Sequence, residues 1–136
     1  MKSIFFVLLI VIQPLILFAQ SKADYEHAIK RFVNFYNNKQ ADSIVNMWPE
    51  QERKEVKSMW SKERTEALLK EYGRITSYKY LGTDDEDPDK VVVYTTQFSI
   101  ASSKTTSLTL DKEDYLGTFR FITSSEGIDK LLKKRK

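Results

Sequence analysis

The 136-residue sequence contains no cysteine, so disulfide bonds, thiolate metal sites and thiol chemistry are all excluded. It contains a single histidine, His27, whose helical phase places it beside Lys30 and Arg31 on a face predicted to be wet. A catalytic triad or a histidine-rich metal site needs a histidine that a carboxylate orients within a cleft. We therefore interpret His27 as solvent-exposed and without function, and we predict neither a metal nor a cofactor.

Long apolar runs are also absent, with one exception at the N-terminus. Lys2 precedes nine consecutive apolar residues from Ile4 to Ile12, and Ala19 offers a small residue for cleavage. The stretch from Ile4 to Ala19 is 16 residues long and is interrupted by a Gln-Pro pair, whereas a membrane-spanning helix needs roughly 20 residues. This layout is typical of a secretory signal peptide over residues 1–20, with an uncleaved membrane anchor as the alternative.

An excess of charge of one sign is likewise missing. Lys2 is the only charged residue among the first 20, so its removal lowers the formal net charge from +3 to +2. This near balance implies no charged partner, and export makes nucleic acid an improbable one. The lack of disulfides and of a glycosylation sequon after residue 20 favours a periplasmic or secreted protein of a bacterial envelope. A basic tail at residues 125–136 is interpreted as solvated, with contact to anionic lipid as the alternative.

Apolar residues at helical spacing predict three helices before Gly73. The first begins near Ser21 and Asp24, and a continuous apolar stripe follows. The second extends from Ala41 to Trp48, where Pro49 stops it and opens a third helix that ends at Gly73. The predicted stripe of the first helix comprises Tyr25, Ala28, Ile29, Phe32, Val33 and Tyr36, and that of the third comprises Val56, Met59, Trp60, Ala67 and Leu68.

Beyond Gly73 the apolar period changes from 3.6 to 2, which predicts strands. Four are expected, at residues 75–81, 90–101, 106–110 and 115–123. On the long second strand, we expect Val92, Tyr94, Phe98 and Ile100 to meet the helices. Three N-terminal helices packed on a curved, antiparallel, four-stranded sheet make a single α+β domain over residues 21–124.

Three segments carry a resemblance to a known superfamily. An apolar helix ending in a polar turn, then a short helix reaching Trp48-Pro49, resembles the nuclear-transport-factor-two-like superfamily of cone-shaped, cystatin-like domains. Residues 71–82 (EYGRITSYKYLG) are similar to the same superfamily, and residues 115–119 (YLGTF) resemble a bacterial secreted domain of unknown function within it. The resemblance extends from Ala23 to about Thr123.

This resemblance implies a sheet curled around a pocket that the helices close, often within a dimer. Relatives include isomerases, dehydratases, polyketide cyclases and non-catalytic binding modules, so the fold does not determine the function. None of the catalytic residues of these relatives can be matched to a position in this sequence.

The aromatic residues allow two interpretations. They fill the core, or they line an apolar ligand pocket between helices and sheet. The pocket candidates are Tyr36, Trp48, Trp60, Tyr78, Tyr94, Phe98 and Phe119. The outer face of the second strand is apolar only at Val91 and Val93, which makes these two residues candidates for an interface with a partner or a second subunit.

The acidic segment 84–89 has the carboxylate alternation of a calcium loop but lacks the required glycine and final glutamate. We interpret it as an exposed hairpin turn, with a weak divalent-ion site as the alternative.

Together these features predict an exported, non-enzymatic domain that binds a small apolar ligand or a protein partner, such as another envelope protein. A pocket enzyme of the isomerase or cyclase kind, with a buried carboxylate as general base, is one alternative. A purely structural dimerisation module is the other.

Overall fold

The computed structural model describes residues 22–84, 90–111 and 113–122. Within them, four α-helices precede a four-stranded antiparallel sheet, which confirms the predicted α+β class. The strands follow in the order β1-β2-β3-β4, and the sheet is open, with β1 and β4 at its edges. The elements are α1 (22–37), α2 (Ala41–Val45), a 3₁₀ turn (Glu50–Glu52), α3 (Arg53–Met59), α4 (Lys62–Tyr72), β1 (Ile75–Asp84), β2 (Val91–Phe98), β3 (Lys104–Leu110) and β4 (Leu116–Ile122).

Helix α1 buries the stripe that its spacing predicts, apart from Val33, which is half-buried. Phe32 and Tyr36 are fully buried, and the opposite face, which includes His27, is exposed. At the end of α1 the Asn37 side chain attaches the helix to β1: its Nδ2 donates to the Ile75 carbonyl oxygen (2.9 Å), and its Oδ1 accepts from the Ile75 amide (2.8 Å). The helix is therefore fixed to the sheet at this end by side-chain hydrogen bonds as well as by packing.

The prediction of one continuous third helix is wrong. The segment after Pro49 forms a 3₁₀ turn and then two helices, α3 and α4, which are separated at Trp60 and Ser61. Trp60 leaves helical geometry (φ −121°, ψ 44°) and buries its indole, and Ser61 caps α4 by accepting from the Arg64 amide (3.2 Å). Because the break changes the helical phase, Ala67 is exposed instead of buried, and Met59, the last residue of α3, is half-exposed.

Strand β2 presents its predicted apolar face to the helices, since Val92, Tyr94, Thr96 and Phe98 are all buried. The prediction for Ile100 is wrong: this residue is 69% exposed. The strand ends at Phe98, and the Ile100 amide donates to the Tyr72 carbonyl oxygen (3.1 Å) instead of continuing the ladder. The turn into β3 is thus held against the end of α4, where Gly73 adopts a positive φ of 80°.

Strand β1 is longer than predicted and contains two irregularities in its pairing with β2, between Ile75 and Ser77 and between Tyr80 and Gly82. A bulge adds one residue to one strand and reverses which side chains face inward. Ile75, Tyr78 and Tyr80 consequently share the helix side, although simple alternation assigns Ile75 to the opposite side from the two tyrosines.

The core lies between the helices and the inner face of the sheet and is built around Phe32. The ring of Phe32 stacks on Phe119, with centroids 3.8 Å apart, and meets Trp60 edge-on at 5.2 Å. Phe121 makes edge contacts with Phe32, Phe119, Phe98, Tyr36 and Trp60. Within the described ranges, no helix combines the length and the hydrophobicity that crossing a membrane requires.

Candidate functional site

Most of the aromatic pocket candidates lie in the hydrophobic core. Tyr36, Trp48, Trp60, Tyr94, Phe98 and Phe119 are each at most 9% exposed, and Tyr78 is half-buried against them. Of the interface candidates, Val93 is buried at 6% exposure, and Val91 is half-buried at the start of β2. Neither of the surface depressions described below is lined by any of these residues.

Tyr78, Tyr80 and Tyr94 form a cluster beside the N-terminal half of α1. The rings of Tyr78 and Tyr80 meet the ring of Tyr94 edge-on, with centroids 6.0 and 5.8 Å away. Burial, and then the charge of Glu26, raises the pKa of both Tyr78 and Tyr94 above the ordinary value. These hydroxyls therefore stay protonated at neutral pH, which suits packing and hydrogen bonding rather than acid–base catalysis.

A cleft of about 390 Å³ opens between the start of α1, the turn after α2 and the β3–β4 turn. Its walls carry charged groups of both signs, and somewhat more of their exposed surface is polar than apolar. The residues that line it are Asp24, His27, Ala28, Arg31, Asn46, Met47, Arg53, Glu113, Asp114 and Tyr115. A second depression of about 650 Å³ continues from it past Pro49, Glu50, Gln51 and Asp111. The two share Arg53, Glu113 and Tyr115, so we treat them as one continuous surface, the polar groove.

The β3–β4 turn forms one wall of the polar groove and is held by the carboxylate of Asp111. Its Oδ1 accepts from the amides of Glu113 (2.8 Å) and Tyr115 (3.0 Å). The Asp111 amide in turn donates to the Tyr115 carbonyl oxygen (2.8 Å), and Asp114 takes a positive φ of 63°. This hydrogen-bonded turn presents the side chains of Glu113 and Asp114 from a fixed backbone.

The wall that faces this turn is also fixed by hydrogen bonds to backbone carbonyl oxygens. The Leu116 amide donates to the Met47 carbonyl oxygen (2.8 Å), which attaches β4 to the turn after α2. Arg53 Nε donates to the Trp48 carbonyl oxygen (2.9 Å), so its guanidinium group is oriented where the two depressions meet. On α1, the guanidinium carbon of Arg31 lies 5.7 Å from the centre of the Phe35 ring. The polar groove is therefore largely preformed.

The charges along the polar groove are unpaired within the described part of the chain. Arg31, Arg53, Asp24 and Glu113 form no ion pair there, so their charges are available to a bound group. No three histidine, aspartate or glutamate side chains among the described residues are close enough together to hold a metal ion. The groove can thus bind by complementary charges and hydrogen bonds.

Sequence reasoning missed this groove. His27 and Arg31 are exposed as predicted, but they line a cleft rather than an open helix face. The wall opposite comes from residues more than 80 positions later, at the β3–β4 turn. The one local signal was Asp111 at the start of a four-residue charged turn, because aspartate at that position commonly bonds to the amides that follow it.

Three of the predicted features lie outside the described residues: the signal peptide at 1–20, the acidic turn at 85–89 and the basic tail at 125–136. Asp84, the first acidic residue of the 84–89 segment, is the last residue of β1.

Comparisons of this chain with models of protein families, with curated proteins and with solved structures found no match.

Proposed function

We propose that this chain is an exported, non-enzymatic binding module and that the polar groove holds a segment of a protein partner. One observation carries the proposal: the groove is lined by charges of both signs that form no ion pair among the described residues, and hydrogen bonds between side chains and the backbone hold its walls in place. A preformed groove loses little conformational entropy on binding, which favours recognition of an extended segment.

A protein segment suits the groove better than a small apolar ligand does. The aromatic side chains that an apolar pocket would require are packed against one another, as shown by the 3.8 Å stacking of Phe32 on Phe119. The groove instead offers Arg31 and Arg53 for carboxylates, and Glu113 and Asp114 for cations. A polypeptide carries both kinds of group together with backbone donors and acceptors.

The enzyme alternative requires a buried carboxylate to act as general base. Among the residues whose burial is described, no aspartate or glutamate is buried, and Asp24 alone is half-buried. The buried polar side chains in that part of the chain are threonines and a serine. The lack of a buried carboxylate among these residues supports a binding role over general-base catalysis.

The same proposal places the domain in the nuclear-transport-factor-two-like superfamily, with a cone-shaped sheet. Its support is the resemblance of the sequence and the observed order of helices followed by an antiparallel meander. Export is proposed from the layout of residues 1–20. Fractionation of the producing cells, with mass measurement of the protein, tests export: the expected form lacks about the first 20 residues and lies outside the cytoplasm.

Site-specific photo-crosslinking tests the partner. A photoreactive phenylalanine analogue at Tyr115, which lines both depressions, is expected to capture a protein in the producing cells. The same analogue at Tyr80, an exposed tyrosine of β1 outside the groove, is the control and is expected to capture little.

Matched charge reversals make the test specific to the groove. Arg31→Glu changes a residue that lines it, whereas Lys30→Glu makes the same change on the adjacent exposed residue of α1. Capture at Tyr115 should be lost with Arg31→Glu and kept with Lys30→Glu. Equal capture in both variants would contradict the groove as the site. A small apolar molecule found by native mass spectrometry of the purified protein would favour the ligand alternative instead.

A further inference from the structure

The polar groove is acidic, although the chain as a whole carries a positive formal charge. Five carboxylates line its two parts, against the guanidinium groups of Arg31 and Arg53, whereas the whole sequence has a formal net charge of +3. The carboxylates are those of Asp24, Glu50, Asp111, Glu113 and Asp114. None of them forms an ion pair within the part of the chain that the structure describes. Their field therefore favours a partner that carries positive charge.

The excess of negative charge is larger in the second depression than in the cleft. Glu50, Asp111 and Glu113 line the second depression against a single guanidinium group, that of Arg53. The described walls of the cleft have three carboxylates and two guanidinium groups. A cationic side chain of a partner is therefore best accommodated in the second depression.

The second depression also offers apolar surface beside these carboxylates. Pro49 and the half-buried Tyr115 line it, and the Tyr115 ring makes no aromatic or cation contact with any other described residue. A free aromatic ring attracts a cation, and the stem of a lysine or arginine packs on apolar surface while its charged end stays among polar groups. An aromatic ring flanked by carboxylates thus matches the side chain of lysine or arginine better than a small hydrated cation.

Arg53 determines where along the groove a cation can lie. Its 2.9 Å hydrogen bond to the Trp48 carbonyl oxygen fixes its guanidinium group where the cleft and the second depression meet. A bound cation is repelled from this junction toward Glu50 and Asp111, which line only the second depression. On the cleft side, the guanidinium groups can donate to carbonyl or carboxylate oxygens of the partner. The groove therefore distinguishes the two ends of a bound segment.

We propose that the segment held in the polar groove is basic and that one of its lysine or arginine side chains occupies the second depression. The stem of this side chain lies on Tyr115, and its charge lies near the carboxylates of Glu50 and Glu113. Hydrogen-bond acceptors of the same segment lie in the cleft, against its two guanidinium groups. The inference rests on the proposed function, because it identifies the chemistry of the partner that the groove holds.

Short model peptides test the preference for positive charge. Each has blocked ends and glycine throughout, except for arginine, glutamate or serine at its centre. In a nuclear magnetic resonance titration of the isotopically labelled chain, the arginine peptide is expected to shift the amides of Glu50, Gln51 and Asp111, and the other two peptides should shift them much less. Salt at about 0.5 M should weaken the binding of the arginine peptide through screening. Equal shifts with arginine and glutamate, or no shift with any peptide, would overturn the proposal.

A matched pair of substitutions in the 3₁₀ turn locates the binding. Glu50→Gln removes a charge that lines the second depression, whereas Glu52→Gln removes the same charge from an exposed residue of the same turn that does not line it. The first change should weaken binding of the arginine peptide about two- to fivefold, as the loss of one exposed charge pair does. The second should leave the affinity unchanged. Equal affinities of the two variants would overturn the proposal.

The captured partner separates a failure of this inference from a failure of the proposed function. Mass spectrometric sequencing of the segment crosslinked at Tyr115 should find lysine or arginine within it. A captured segment without a basic residue would overturn this inference and leave the protein-binding function standing. The lack of any captured protein would contradict the proposed function itself, and this inference with it.

Discussion

A hydrogen bond between Thr96 and Thr106 in the centre of the core allows a quantitative test of how polar groups are accommodated there. Both residues are fully buried, and their Oγ1 atoms are 2.7 Å apart across β2 and β3. Each hydroxyl is the other's side-chain partner in a region otherwise filled by aromatic and aliphatic groups. The pair should therefore behave as a unit when either member is changed.

The perturbation is replacement by valine, which keeps the shape of threonine and removes the hydroxyl. Thr96→Val or Thr106→Val alone leaves the other hydroxyl buried without its partner, which costs about 1–3 kcal/mol of unfolding free energy. Replacing both removes the hydrogen bond and also the unsatisfied group, so the double variant should lose less than either single variant. The expected coupling is on the order of 2 kcal/mol or more.

Urea unfolding followed by circular dichroism measures the four free energies needed for this cycle. If the unfolding free energy depends on urea concentration with the same slope in all four proteins, their native and unfolded states are comparable. Additive losses, in which the double variant is destabilised by the sum of the two single changes, would show that the hydroxyls have other partners and would refute the reasoning.

Three further predictions concern the core, a turn and alkaline pH. Phe32→Ala removes the ring that stacks on Phe119 and should lower the unfolding free energy by about 3–5 kcal/mol, measured in urea. Gly73→Ala places a Cβ at a positive φ of 80° and 3.0 Å from the Ile100 amide nitrogen, so thermal unfolding should occur at a lower temperature, with a loss above about 1 kcal/mol. Burial raises the pKa of Tyr94 in the folded state above its ordinary value of 10.0, so the unfolded state loses the proton first and stability falls as pH rises beyond that value. Between pH 8 and about pH 11, Tyr94→Phe should therefore lose less stability than the unchanged chain, and an identical loss in both would contradict the assignment.

The sequence predicts those parts of the fold in which one local period continues without interruption. The stripe of α1 from Tyr25 to Tyr36 is buried as expected except at the half-buried Val33, and β2 directs Val92, Tyr94 and Phe98 inward. Prediction from the sequence fails where an apolar pattern continues past the end of a helix or strand. Trp60 extends the helical pattern although Ser61 caps a new helix, and Ile100 extends the strand pattern although its amide bonds to Tyr72.

The polar groove was beyond this kind of prediction for a different reason. Its walls come from three separate parts of the chain, represented by Arg31, Arg53 and Glu113, and each of these residues looks like ordinary surface charge in its own segment. Only the tertiary arrangement brings them together, through contacts such as the Leu116 amide donating to the Met47 carbonyl oxygen. Periodicity carries no information about such distant pairings.

The most direct test of the binding proposal is a nuclear magnetic resonance titration of the isotopically labelled chain with the partner captured at Tyr115. The account predicts that the backbone amides that shift lie at residues 24–31, 46–53 and 113–115, around the polar groove. It also predicts that Arg31→Glu abolishes these shifts while Lys30→Glu preserves them. Shifts centred on Val93 and Ser107 at the outer face, or shifts equally present in both variants, would contradict it.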